Sequence, residues 1–352
     1  MTGHGGNIYA ASRTTGIPED RILDFSASIN PLGVPETVAE VIRQNIRNLP
    51  NYPEPFAEQL SAHLGKHLRI DPQSIICGNG STELIYLVVR ALAPEKVLIP
   101  APTFTEYERA CKTRRGTGLV QYALSPENNF DIQPDMFIAA MNGCDMAFLC
   151  NPNNPTGRLL TREQLIKIAQ AAQQSRCYLI LDEAFIDFMP EHSMVSEVEK
   201  YSHLIVLRSL TKFYALSGLR IGYGVFPAAL IERLQSHKEP WTINTLAQRG
   251  GIAALDDKAY EKETFDVIKQ GKLFLEKGFG ELGITYLPSA VNYYLLRLAN
   301  AREVVVSLRN KGILVRDCSN FPGLDDSYIR VAVKSPEDNA VLLKELSGLC
   351  RR

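Results

Sequence analysis

The sequence predicts an α/β protein built on a mostly parallel sheet, joined to a smaller α+β unit at the C-terminal end. Three observations carry this. Short apolar runs alternate with amphipathic helical stretches from residue 56 to residue 226. The pattern changes after Pro240. Five consecutive apolar runs also end on polar, glycine-rich or aromatic residues. Such alternation implies crossover connections that cover both faces of a parallel sheet.

Residues 1 to 55 are punctuated by Gly and Pro (INPLGVP, LPNYPEP) around one helical stretch from Glu36 to Arg47, which reads as an arm laid over something else. In PFAEQLSAHLGKHL the apolar positions Phe56, Leu60, Leu64 and Leu68 recur every fourth residue, as on one helix face. SIIC then leads into TELIYLVVRAL, KVLIP into the segment after Thr103, and MAFLC into TREQLIKIAQAAQQ, followed by CYLIL, LIVLRS and LRIGYGVF. Residues 241 to 282 read as long helices. The tail alternates NYYLLRL, a helix near 302 to 310, ILVRD, YIRVAV and a final helix. The expected division is an N-terminal arm with part of the small domain over 1–45, a large domain over 46–250 and a small C-terminal domain over 251–352.

Composition narrows the function. A chain of 352 residues with formal net charge -1 has no electrostatic reason to bind nucleic acid or an anionic membrane, and no segment approaches the ~18 apolar residues of a membrane helix. Seven cysteines without a Cys-x-x-Cys pair suggest neither a disulfide framework nor a zinc ribbon. The start carries no apolar leader, so a cytoplasmic protein is expected. His63 and His67 have metal-compatible spacing, but HLGKH lacks the glutamate of a zinc protease, and no metal is expected. No strand is followed by Gly-x-Gly-x-x-Gly, which argues against a nucleotide-binding oxidoreductase.

Ligands of an open parallel sheet bind beyond the carboxyl ends of its strands, so the residues after each run are the candidates. After SIIC comes GNGST, whose Gly80, Ser81 and Thr82 offer amides and hydroxyls to an anion at a helix N-terminus. Taken alone, such a motif is more often a glycine turn with a hydroxyl cap. KVLIP leads to Phe104, and MAFLC to NPNNPTG. CYLIL ends on Asp182, a carboxylate entering a core, which calls for a cation. LIVLR leads to SLTK, where Lys212 stands between hydroxyls and eight residues before Arg220. A desolvated lysine near another cation loses proton affinity and becomes a nucleophile toward carbonyls. An anion cradle, a buried acid, an aromatic and such a lysine together are what pyridoxal phosphate requires.

With NPNNPTG, LDEAF and SLTKFYALSGLRIGYG in that order, the chain resembles the fold-type I pyridoxal-phosphate enzymes, the class I/II aminotransferases, over essentially its whole length. The resemblance implies Lys212 as the Schiff-base lysine, Asp182 as partner of the pyridinium and Asn154 as donor to the ring hydroxyl. It implies Phe104 over one ring face, with Ser209 and Arg220 joining Gly80, Ser81 and Thr82 on the phosphate. Tyr52 of NYPEP is similar to the tyrosine that members extend to the neighbouring subunit's phosphate, which implies a homodimer. Arg330 of YIRVAV is similar to the arginine that binds the substrate carboxylate.

Two branches of the family fit best: one that transaminates histidinol phosphate, and one that decarboxylates L-threonine-O-3-phosphate in cobalamin biosynthesis. HGGN, DFSASINPLG, DEAFIDF, RSLTKFYA and PWTIN resemble the decarboxylating branch. That resemblance implies that His4, Gly5, Asn30, Asn154, Arg316 and Arg330 hold the substrate. Phe185 stands where aminotransferases commonly carry a tyrosine, which argues against ordinary transamination. A non-catalytic protein that merely binds the cofactor is the reading from another class, set against an intact Lys212.

Overall fold

The computed structural model describes residues 4–350. The arm carries α1 (Ile8–Thr15), β1 (Leu23–Asp24) and α2 (Glu36–Asn45), and α3 (Glu58–Leu68) leads out of it. There follow β2 (Ile75–Gly78), α4 (Ser81–Leu92), β3 (Lys96–Ala101), α5 (Glu106–Lys112), β4 (Gly118–Ala123), α6 (Pro134–Met141), β5 (Met146–Cys150), α7 (Arg162–Ser175), β6 (Tyr178–Asp182), β7 (Leu204–Ser209) and β8 (Gly222–Val225). The rest comprises α8 (Ala228–Gln235), α9 (Thr245–Asp256), α10 (Lys258–Glu281), β9 (Thr285–Tyr286), β10 (Tyr293–Arg297), α11 (Ala301–Asn310), β11 (Ile313–Leu314), β12 (Arg316–Asp317), β13 (Tyr328–Ala332) and α12 (Pro336–Cys350).

Seven strands form one sheet in the order β2-β8-β7-β6-β5-β3-β4. All neighbours are parallel except those of β8, which runs antiparallel to β2 and to β7. LRIGYGVF is therefore the one reversed strand. β2, β3, β5, β6 and β7 nonetheless point the same way, so their carboxyl ends share one edge. MAFLC in β5 is buried throughout, as is YLILD in β6 after its first residue, because helices cover both faces. Burying a phenylalanine such as Phe148, fully inaccessible in β5, contributes about 1.5–3 kcal/mol.

Several elements lay outside the sequence expectation, β4 and α1 among them. The edge strand β4 has its alternate residues exposed and no continuous apolar run to announce it. Helix α1 is short, but its end signals are present: Asn7 Oδ1 accepts from Ala10 N at its start, and Gly16 closes it at φ 74°.

A second, antiparallel sheet has the order β12-β13-β10-β9. β1 pairs parallel with β11, Leu23 opposite Ile313, which ties the arm to the C-terminal region. Among the described residues no helix is long and apolar enough to cross a membrane.

Candidate active site

The shared carboxyl edge of the large sheet faces a cavity of about 380 Å³. Its lining includes His4, Gly5, Gly80, Ser81, Thr82, Phe104, Asn154, Asp182, Ser209, Lys212, Arg220, Arg316 and Arg330. The register explains part of this convergence. Gly222 of β8 lies opposite both Gly78 and Ser209, so the turn after β2 and the end of β7 meet across one residue. Cys150 likewise lies opposite Asp182, which brings the NPNNPTG turn beside the acid.

Around that first meeting point the chain forms a cradle. Gly80 precedes α4 at φ 76°, and a Cβ there would overlap the Arg220 guanidinium. No side chain caps α4, so its first amides are available to a ligand. Ser209 Oγ and Thr211 Oγ1 lie 2.7 Å apart beside it.

Asp182 is buried, and burial raises its carboxyl above the usual range against the lowering effects of Tyr107, the Ala184 amide and Lys212. Tyr107 donates to Oδ2 at 2.7 Å and the Ala184 amide to Oδ1 at 3.0 Å. Both direct partners are neutral, so a cationic or protonated ligand group is what this carboxylate still lacks. Burial, reinforced by Arg330 and Arg220, lowers Lys212 from its ordinary value to about 8. The ammonium form is disfavoured by desolvation and by two nearby cations, so the unprotonated amine is far more populated near neutrality than in an ordinary lysine. The Phe185 ring centroid is 6.0 Å from Nζ, and the ring packs edge-on against Tyr293.

At the other end, Arg316 and Arg330 are register partners on β12 and β13. Like charges placed opposite each other destabilise a sheet unless something neutralises them. Both arginines are buried, and neither makes an ion pair among the described residues. Arg316 Nη2 donates to Asn320 Oδ1 at 2.7 Å, while its guanidinium lies 4.8 Å from the Phe321 ring centroid. Arg330 donates through Nη1 to Asn154 Oδ1 and through Nη2 to Ser26 O at 2.9 Å, and its Nε is buried without a partner. With its oxygen held in this way, Asn154 has its amide nitrogen as the end free to donate.

Two expected residues lie elsewhere. Asn30 is not a cavity residue: its side chain is consumed internally, donating to Phe213 O and Thr264 Oγ1, both at 2.7 Å, and accepting from Leu32 N. Its own amide donates to Lys212 O at 3.1 Å, so here Asn30 braces the lysine's backbone rather than lining the cavity as expected. Tyr52 is 85% exposed and packs at a tilt against Trp241, ring centroids 5.6 Å apart, and does not line its own chain's cavity. Conversely, Tyr107, Glu106 and Arg109 were not singled out from sequence. The signal was present, since all three follow Phe104 within five residues, in the segment just after β3.

An anion cradle at a helix start, a buried acid lacking a cation, a lysine lowered to about 8 and an unpartnered Arg330 Nε fit pyridoxal phosphate. Comparison with known proteins agrees. Residues 20–346 match the family described as aminotransferase class I and II. The chain belongs to this family. This class I/II member is 38% identical to threonine-phosphate decarboxylase of Salmonella typhimurium over 98% of its own length and 96% of the relative's. Its fold matches the histidinol-phosphate aminotransferase of Clostridium acetobutylicum with a TM-score of 0.88 and 34% identity, covering 94% of this chain and 99% of that one. It matches L-threonine-O-3-phosphate decarboxylase of Porphyromonas gingivalis with a TM-score of 0.84 and 27% identity, covering 94% and 100%.

Proposed function

We propose that the chain decarboxylates O-phospho-L-threonine to aminopropanol phosphate with pyridoxal 5'-phosphate, in cobalamin biosynthesis, as a cytoplasmic homodimer. The observation that carries this reading is the pair Arg316 and Arg330, set opposite each other without an acidic partner in the cavity that holds Lys212. Two guanidinium forks suit a substrate with a phosphate and a carboxylate. The similarity to the Salmonella typhimurium enzyme over nearly the full length of both chains supports the same substrate. Phe185 supports decarboxylation over transamination, since it lines the cavity without the hydroxyl that a tyrosine would offer.

When bound, the cofactor supplies a conjugated ring that takes up the electron pair left at the substrate's α-carbon. Lys212 Nζ would hold it, and is the amine that would be free for proton transfer once substrate is bound. Asp182 holds a proton at the ring nitrogen, and Asn154 donates to the ring oxygen. The amides of Ser81 and Thr82, with Ser209 and Arg220, hold the cofactor's phosphate. Phe104 covers one ring face. The substrate's two anionic groups would be anchored by Arg316, Arg330 and the arm residues His4 and Gly5, which together would fix rotation about the α-carbon and so select the bond to the carboxylate for cleavage. Once CO2 has left, a proton must reach the α-carbon, and Lys212 Nζ is the group placed to deliver it. Tyr52, exposed and packed at a tilt against Trp241, reaches the partner subunit's cavity in this reading.

The test incubates purified holoenzyme with O-phospho-L-threonine and measures CO2 release beside keto-acid-dependent amine transfer. CO2 release in the absence of a keto acid is the expected result. Absence of CO2 together with rapid transamination of histidinol phosphate would overturn the reading in favour of the aminotransferase branch. Inertness toward both substrates, with cofactor bound, would favour the non-catalytic alternative.

A further inference from the structure

Glu106 has no role in the mechanism above, yet it is the most heavily engaged acid at the cavity. It opens α5, is 7% exposed, and is surrounded by donors. His4 Nε2 lies 2.7 Å from Oε1, Arg109 Nη1 3.3 Å from the same oxygen, and Tyr86 OH donates to Oε2 at 2.8 Å. Burial pushes its carboxyl up, but the hydrogen bonds from His4 and Tyr86 outweigh this and leave it below its ordinary value. His4 also packs on Phe104, with ring centroids 5.7 Å apart.

The residues after His4 are held from the opposite side. A Cβ on Gly5 would overlap the carbonyl of Ser26, and Gly6 N donates to Ser26 Oγ at 2.8 Å. Ser26 O in turn accepts from Arg330. Residues 4 to 6 therefore bridge the cavity, fastened to the large sheet's side through Glu106 and to the small sheet's side through Ser26 and Arg330. With Nε2 committed to Glu106, His4 keeps Nδ1 for a ligand.

We propose that the arm is a clasp seated on Glu106, and that Glu106 is a positioning residue which presents His4 to the anionic group of the substrate. This rests on the function proposed above only for the nature of that substrate. The seat itself exists in the ligand-free chain. In this proposal the effect of Glu106 on the substrate passes through His4.

The test is a double-mutant cycle on the holoenzyme with Glu106→Gln, His4→Ala and the pair. Glu106→Gln raises KM for O-phospho-L-threonine about tenfold, in line with losing a hydrogen bond to a charged group, and leaves kcat within about twofold. The double variant has the KM of His4→Ala. Hydrogen exchange of the peptide spanning residues 4–15, measured without substrate, is faster in Glu106→Gln than in the wild type. Additive KM effects would overturn the proposal, since Glu106 would then act independently of His4. Unchanged KM and exchange in Glu106→Gln would also overturn it. If wild type releases no CO2, the functional reading fails, while the exchange measurement still decides whether Glu106 seats the arm.

Discussion

The two ends of the cavity are built in different ways. The cofactor end is made of strand ends from one sheet: Gly80, Asn154, Asp182, Ser209 and Lys212 all lie within five residues of a β-strand's last residue. The substrate end is assembled from the arm, the start of α5 and two strands of the small sheet, with His4 and Glu106 102 residues apart and Ser26 and Arg330 304 apart. The first end is defined by burial, which shifts Asp182 up and Lys212 down. The second is defined by charge left uncompensated on Arg316 and Arg330. A preorganised reaction centre thus sits beside a recognition site that is complete only when an anion arrives.

The sharpest way to break this contrast is at Lys212. Lys212→Ala is expected to reduce CO2 release by about a thousandfold or more and to abolish the visible absorption and borohydride trapping at that residue. If colour and trapping at residue 212 persist, the reaction centre has been misplaced. Next comes Arg330→Met, which acts on both ends. KM for O-phospho-L-threonine should rise roughly ten- to a hundredfold. In the cofactor-free protein, acylation of Lys212 is expected to titrate near pH 8, and its midpoint should move upward in this variant, because removing a neighbouring cation favours the ammonium form. A midpoint that stays put or falls would show that the two ends are electrostatically independent. The smallest effect is expected from Tyr107→Phe, which removes one neutral hydrogen bond to Asp182 and should lower kcat about two- to tenfold with KM unchanged. A change confined to KM would move Tyr107 to the substrate side of the comparison.

Most of the cofactor end was legible because each of its motifs is local. An apolar run ending on Asp182, or SLTK following LIVLR, places a functional group relative to its own strand, and the parallel sheet does the rest. Tyr107 was missed although it follows a strand end, because a tyrosine in TFTEYERA reads as an ordinary helical residue until Asp182 is seen 2.7 Å away. The internal bonds of Asn30 were illegible for the opposite reason. DFSASINPLG runs alongside the cavity, where Ser26, Ala27 and Ser28 line it, but Asn30 turns toward Phe213 and Thr264, and nothing in the motif reveals those partners.

By itself the sequence determined the layered α/β architecture and the sheet edge at which most of the candidate cofactor residues gather. These follow from periodicity and from short-range order along single strands. Only the tertiary structure decided that Arg316 faces Arg330, that Gly222 joins the two halves of the cradle and that Glu106 seats His4. Each of these depends on register and packing between distant segments, and the energies that select them arise only once burial has removed water from the charges involved.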